Sequence, residues 1–238
     1  MIVPSRRRLV RLCAVGLLLS CGSGCSALRS TAAPPSFYSL DSARIETSAA
    51  GQAPAGRSPA APTLIVSRPH AAAGFDSQRI IYIREAHRLD HFAHGEWVDT
   101  PARMLAPLIV SALEGSGRFR AVVAAPNGAT GELRLDSEIV RLQQDFTSQP
   151  SRVRFTLRAH VVDSTTRRVL ASRLFDESVA AASDDPYGGV IAANRAVQSV
   201  LEQLSTFCST LAGQRQPAAA ETRQREAGPT SSLPPAAP

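Results

Sequence analysis

The sequence predicts an α/β (α+β) domain: a mixed, largely antiparallel sheet with two main helices packed on one face. Three observations carry that prediction. Residues 75–123 read as strand, turn, strand, helix, strand; residues 132–179 read as three long strands in succession; residues 185–212 trace one apolar helical stripe. A single sheet covered by helices is the economical way to bury all of these faces together.

Taken in order, residues 37–41 are a short strand candidate, and residues 42–62, rich in Ala, Gly, Ser and Pro, are a flexible loop. Residues 63–68 make a second strand, which Pro69 stops. Within residues 78–84 the dense run Ile80, Ile81, Tyr82 and Ile83 suits a strand covered on both faces. Residues 88–97 return as its partner, and Trp97 is placed to anchor this hairpin to the following helix. At Thr100 and Pro101 the period changes: Thr can cap a helix, Pro fits its first position, and Met104, Leu105, Leu108, Ile109, Ala112 and Leu113 recur at helical spacing. Pro107 interrupts that helix, and Gly115, Ser116 and Gly117 end it. Residues 118–123 are extended and apolar again.

From residue 132 the strands lengthen. Leu133, Leu135, Ser137 and Ile139 point one way and Arg134, Asp136 and Glu138 the other, until Val140 and Leu142 shift the phase, which predicts a bulge or a strong twist. Val153, Phe155, Leu157, Ala159 and Val161 alternate with Arg152, Arg154, Thr156, Arg158 and His160, the pattern of a strand buried on one side only. Residues 163–167 supply a turn into a third antiparallel strand over 169–179, with Phe175 its largest buried candidate. Asp185 followed by Pro186 then starts the last helix, whose face carries Val190, Ala193, Val197, Val200, Leu201, Leu204, Phe207, Cys208 and Leu211. Gly213 is read as its stop, and residues 213–238 as a disordered tail.

The formal charge of +6 is concentrated at the N-terminus. Arg6, Arg7, Arg8 and Arg11 precede Cys25 with no acidic residue among them, leaving 22 basic against 20 acidic residues in the remainder. Every basic residue is Arg, so a Walker A phosphate loop or a Schiff-base lysine is excluded. The arginines, an apolar run from Leu12 to Ser20 too short to span a bilayer, and the cysteines Cys21 and Cys25 read as a lipoprotein signal peptide over residues 1–24 with a tether over 25–35. Leu18-Leu19-Ser20-Cys21 has the large and small residues that a lipoprotein signal peptidase accepts. Gly22-Ser23-Gly24-Cys25 has the small residue but lacks the Leu, and the lipid attachment residue is read as Cys25 or Cys21. Thioether-linked diacylglycerol and an acylated amine there would anchor the chain by several acyl chains. Neither cysteine is followed by Asp, which by similarity to bacterial lipoproteins in general implies sorting to the outer membrane. Cys208 is then the one thiol of the folded part, read as buried, and no intramolecular disulfide is expected.

The tempting sites have ordinary explanations. His87, His91 and His94, with Asp90 and Glu96, suggest a metal centre, but a strand would put His91 and His94 on opposite faces, so none is expected. Ser116 between two glycines lacks the context of a nucleophile elbow. Glu132, Asp136 and Glu138 sit opposite the apolar side of their strand, away from the burial that acid/base work needs. No catalytic residue and no cofactor is therefore assigned. Arg152, Arg154 and Arg158 fit either cross-strand pairing with the row Arg134, Asp136 and Glu138 on an exposed sheet face or docking of an acidic partner, with Trp97 a further candidate contact. The near balance of charge argues against nucleic acid.

The order Phe75-Asp76, Arg79-Ile80, Tyr82, His91-Phe92, Trp97, Pro101, Leu105, Leu113, Ser116-Gly117-Arg118-Phe119 and Val122 resembles the ABC-type transport auxiliary lipoprotein family, the PqiC-like group. Phe37-Tyr38-Ser39-Leu40 and Gln144-Asp145-Phe146 extend the resemblance, so that the family domain is expected over residues 36–212. The resemblance implies a lipoprotein on the periplasmic face of the outer membrane. It would act as a non-catalytic adaptor for an ABC permease and ATPase and an Mce-domain protein that move lipid between the two membranes. A homo-oligomer is plausible by the same resemblance. A structural or regulatory envelope lipoprotein is the first alternative, and a secreted hydrolase the second.

Overall fold

The strands and helices follow the apolar periods of the sequence closely. The computed structural model describes residues 34–41 and 60–226. The expected signal peptide with Cys21, the expected tether from Cys25 up to residue 33, most of the 42–62 loop and residues 227–238 lie outside that range. In chain order the elements are β1 (Ser36–Tyr38), β2 (Thr63–Val66), β3 (His70–Ala71), β4 (Arg79–Ile83), β5 (Asp90–Trp97), α1 (Pro101–Gly115), β6 (Ala121–Ala124), β7 (Leu133–Asp145), β8 (Arg152–Asp163), β9 (Val169–Ala180) and α2 (Pro186–Glu226).

All nine strands belong to one mixed sheet organised on β7. Along one edge of β7 lie, in parallel, β2 at its start (Leu64 opposite Leu133), β3 (His70 opposite Glu138) and β4 at its end (Tyr82 opposite Gln144). Its other edge pairs antiparallel with β8 over nearly the whole strand, and β8 pairs antiparallel with β9. These two long ladders make the sheet largely antiparallel, as the three-strand pattern predicts. β4 and β5 form an antiparallel pair, and β1 adds in parallel to β5, so β1 and β9 are edge strands at opposite sides. The predicted phase shift in β7 is a register break between Ile139 and Arg141, where Val140 is the extra residue.

Both helices cover one face: α2 lies over β8 and β9, α1 lies against β3 and β6, and the helices touch each other. Leu105, Ile109 and Leu113 of α1, Val200 and Leu204 of α2, and Phe155 and Leu157 of β8 are fully buried in the same core. Each such side chain contributes roughly 1.5–3 kcal/mol of apolar burial, so these stripes, rather than intrinsic propensity, hold the layers together.

Three helix details depart from the sequence reading. Thr100 makes no side-chain cap; its carbonyl accepts from the Arg103 and Met104 amides at 3.0 and 3.1 Å, and Pro101 supplies the first helical position. Pro107 does not interrupt α1, because it stands on the exposed side, where the carbonyl it leaves without a donor can face solvent. The last helix does not stop at Gly213. Gly213 lacks the positive φ of a helix-ending glycine, and a run rich in Ala, Gln, Arg and Glu carries α2 to Glu226, so residues 213–226 are helical rather than a disordered tail. No helix among the described residues is long and apolar enough to cross a membrane.

Candidate functional site

The sheet face away from the helices carries the arginine row of β8, and the geometry shows what each guanidinium does. Arg154 grips Asp176 of β9 with two nitrogens, Nε at 3.1 Å from Oδ1 and Nη2 at 2.6 Å from Oδ2, while the Thr156 hydroxyl donates to the same Oδ1 at 2.6 Å. Arg158 donates to Glu138 of β7 at 2.7 Å. Arg152 meets no carboxylate at bonding distance and instead donates to the hydroxyl and carbonyl of Ser178 at 3.0 and 2.7 Å. Asp136 is held by Arg134 on its own strand and by the Ser67 hydroxyl at 2.6 Å.

These pairs set the electrostatics of the face. The Arg154 hydrogen bond holds the Asp176 carboxyl below the usual carboxylate range against a desolvation cost, and Asp176 in turn raises Arg154. Of the pairing expected with Asp136 and Glu138, only Arg158 to Glu138 forms; Arg154 takes Asp176 of β9 instead, and Asp136 is held by Arg134 of its own strand. Trp97 belongs elsewhere. At 3 % exposure it is buried beside Ile80, Leu142, Gly189 and Ala193, so its indole is a wedge between the sheet and α2 and presents no surface to a partner.

The other candidates fall into structural roles. His91 and His94 lie on β5, where the register against β4 breaks between His91 and Glu96, while His87 sits in the preceding turn with φ 68°. No cluster of three potential ligands exists among the described residues. The Ser116 hydroxyl donates to the Leu113 carbonyl at 2.6 Å and accepts from the Arg118 amide at 3.3 Å, which makes it the stop of α1. Glu132 accepts from the Thr63 amide at 2.7 Å and from Arg120 at 2.9 Å, tying β2 to β7; it titrates below its ordinary range because these bonds outweigh desolvation. Burial alone pushes the Cys208 thiol up to about 12, which leaves it without a thiolate at ordinary pH.

The helix cap read at Asp185 forms: its carboxylate accepts from the Gly188 amide at 2.7 Å. Two other features escaped the sequence reading. The neighbour of that cap, Asp184, accepts from the Ser151 amide at 3.1 Å. Ser151 also accepts from Gln144 at 2.9 Å, so the helix start is bolted to the ends of β7 and β8. The second feature is an aromatic flank. Tyr82, Phe92 and Phe146 pack with ring centroids 4.7–6.3 Å apart, and Arg84 lies over two of them. Nearby, Tyr38 meets Tyr187 at 6.4 Å beside an open groove of about 490 Å³. A signal was present: Phe92 stands as an aromatic among the charged and His residues of 90–96.

The model of the ABC-type transport auxiliary lipoprotein component family matches residues 40–205. A solved structure from Xanthomonas campestris, of the family model DUF330, is 26% identical, with a TM-score of 0.60 over 68% of this chain and 93% of its own. A second solved structure, of an uncharacterized protein, is 12% identical with a TM-score of 0.54 and covers 74% of this chain and 97% of its own. No curated protein matches the sequence.

Proposed function

Because this chain belongs to the ABC-type transport auxiliary lipoprotein component family, we propose that it is an adaptor of an ABC transport system, fixed to the periplasmic face of the outer membrane by an acylated Cys25 or Cys21. The family match over residues 40–205 is the observation that carries the reading. Its partners in this reading are an Mce-domain protein and the permease and ATPase of the transporter, and its cargo pathway is lipid exchange between the two membranes. The domain is residues 36–212, with a tether between the anchor and β1.

The chemistry of the described side chains agrees with a binding role. The perturbed carboxylates are all occupied: Asp176 by Arg154 and Thr156, Glu132 by Thr63 and Arg120, Asp184 by Ser151, and Asp185 by the first turn of α2. An acid whose charge is already spent on an internal bond is a poor general base, and the buried Cys208 is a poor nucleophile. Arg152, which no carboxylate neutralises, is the member of the arginine row best placed to contact an acidic partner.

Affinity capture of the lipidated chain from detergent-solubilised envelopes, after crosslinking in cells, tests this. Recovery of an Mce-domain protein with a permease and an ATPase is expected. Recovery of envelope-assembly proteins without any transporter subunit would overturn the reading.

A further inference from the structure

We propose that the flank of the sheet formed by β1, β5, β4 and the first turn of α2 seats the domain on the headgroup layer of the bilayer that holds its anchor. The inference rests on the acylated N-terminus proposed above and adds an orientation to it. Of the seven aromatic side chains that are not buried, five stand on these elements, Phe37, Tyr38, Tyr82, Phe92 and Tyr187, and a sixth, Phe146, follows β7 and packs on Tyr82 and Phe92. The seventh, Phe207, packs edge-on against Phe175 in the core layer. Phe37 and Tyr187 are 59% and 61% exposed, and all three tyrosines of the chain are here. Aromatic rings with a polar tip favour the region between hydrocarbon and water, where the ring loses water and the hydroxyl keeps it.

The chain outside the described residues points the same way. β1 is the first described strand, and only residues 26–33 separate Cys25 from Pro34. Eight residues reach about 30 Å when fully extended, and the twelve that would follow Cys21 about 40 Å. Phe37 is therefore the exposed aromatic nearest in sequence to the proposed anchor, while β9 is an edge strand on the other side of β7 from β1. Arg195, exposed at the groove beside Tyr187, and Arg84, stacked over Tyr82 and Phe146 at 5.3 and 4.8 Å, supply cations at headgroup height.

Charge is not what drives the contact. Asp90 is paired with Arg88, Asp145 accepts from Thr147, and Asp184 and Asp185 accept from backbone amides, yet these acids leave the flank without a net attraction for anionic lipid. Seating through aromatic area should accordingly persist in high salt, where attraction between exposed charges is screened.

The test uses the lipidated full chain in vesicles of phosphatidylethanolamine and phosphatidylglycerol, with and without brominated acyl chains. Phe37→Trp adds one reporter on the flank and Val169→Trp adds one on β9, 59% exposed; the buried Trp97 is the common background. Quenching of the added emission at position 37 but not at 169, unchanged at high salt, is expected. Equal quenching at both positions, quenching at neither, or quenching at 37 abolished by salt would overturn the proposal. Intact mass separates the two readings: an acylated chain whose reporter at 37 stays bright refutes the seating alone, whereas an unacylated chain refutes the anchor and the seating with it.

Discussion

The same substitution should have opposite effects at two positions of α2. At Gly188 a β-carbon would lie 2.3 Å from the Ser183 carbonyl oxygen, 2.4 Å from its hydroxyl and 2.7 Å from its amide nitrogen. Two of these atoms are main chain, so the segment before the helix has to move. That movement strains the Asp185 cap on the Gly188 amide and the bond from Asp184 to Ser151. Overpacking costs roughly 1–3 kcal/mol and a lost cap about 1 kcal/mol, against a gain of at most about 1 kcal/mol from replacing glycine by alanine in a helix. Gly188→Ala should therefore destabilise by about 1–4 kcal/mol, and the midpoint should fall by about 2–16 °C for a domain of this size. At Gly213 nothing lies within 4 Å of the added carbon and the helix continues, so Gly213→Ala should stabilise by up to about 1 kcal/mol. Thermal and urea unfolding followed by Trp97 fluorescence reads both. A neutral Gly188→Ala would refute the packing described at the helix start, and a destabilising Gly213→Ala would refute continuation of α2.

Further outcomes follow from the side-chain environments. The Cys208 thiol should resist Ellman's reagent in the folded protein and react on denaturation. One thiol released by the denatured mature chain indicates acylation at Cys25, and two indicate Cys21. Because the folded thiol is raised to about 12, its contribution to stability is complete below about pH 8.5 and is lost as pH rises toward 12; alkaline titration of wild type against Cys208→Ala should show that difference. Asp176, held low by Arg154, contributes stability above about pH 4 that is lost as pH falls through its depressed folded value. Both partners are well exposed, so Asp176→Asn should cost less than about 1 kcal/mol in urea unfolding. Phe155→Ala, at a fully buried position, should cost about 3–5 kcal/mol by the same assay.

The sheet was legible because its long strands bury one face: the alternation from Val153 to Val161, and the phase shift at Val140, each map onto the ladder that forms. The two helices were legible from their stripes, but their ends were less so. A terminus depends on one or two backbone bonds, and Thr100 and Gly213 carried familiar terminal residues whose side chain or φ plays no such part. The arginine row was legible as paired because acids recur on the adjacent strands, whereas the choice of Asp176 for Arg154 depends on a register no single strand encodes. Trp97 was read as the anchor of its hairpin and also offered as a candidate contact; it is buried, and the helix that covers it is α2, some ninety residues away, which no local pattern encodes. The aromatic flank escaped for a similar reason: β1, β4, β5 and α2 are separated in sequence and meet only in the fold.

Intact-mass measurement of the chain extracted from membranes, joined to separation of inner and outer membranes on a density gradient, addresses the central claim most directly. The account predicts a mature chain beginning at Cys25 or Cys21, heavier than its peptide mass by a diacylglyceryl group and an amide-linked acyl chain, and recovered with the outer membrane. A chain of unmodified mass in the soluble periplasm or the medium would contradict it.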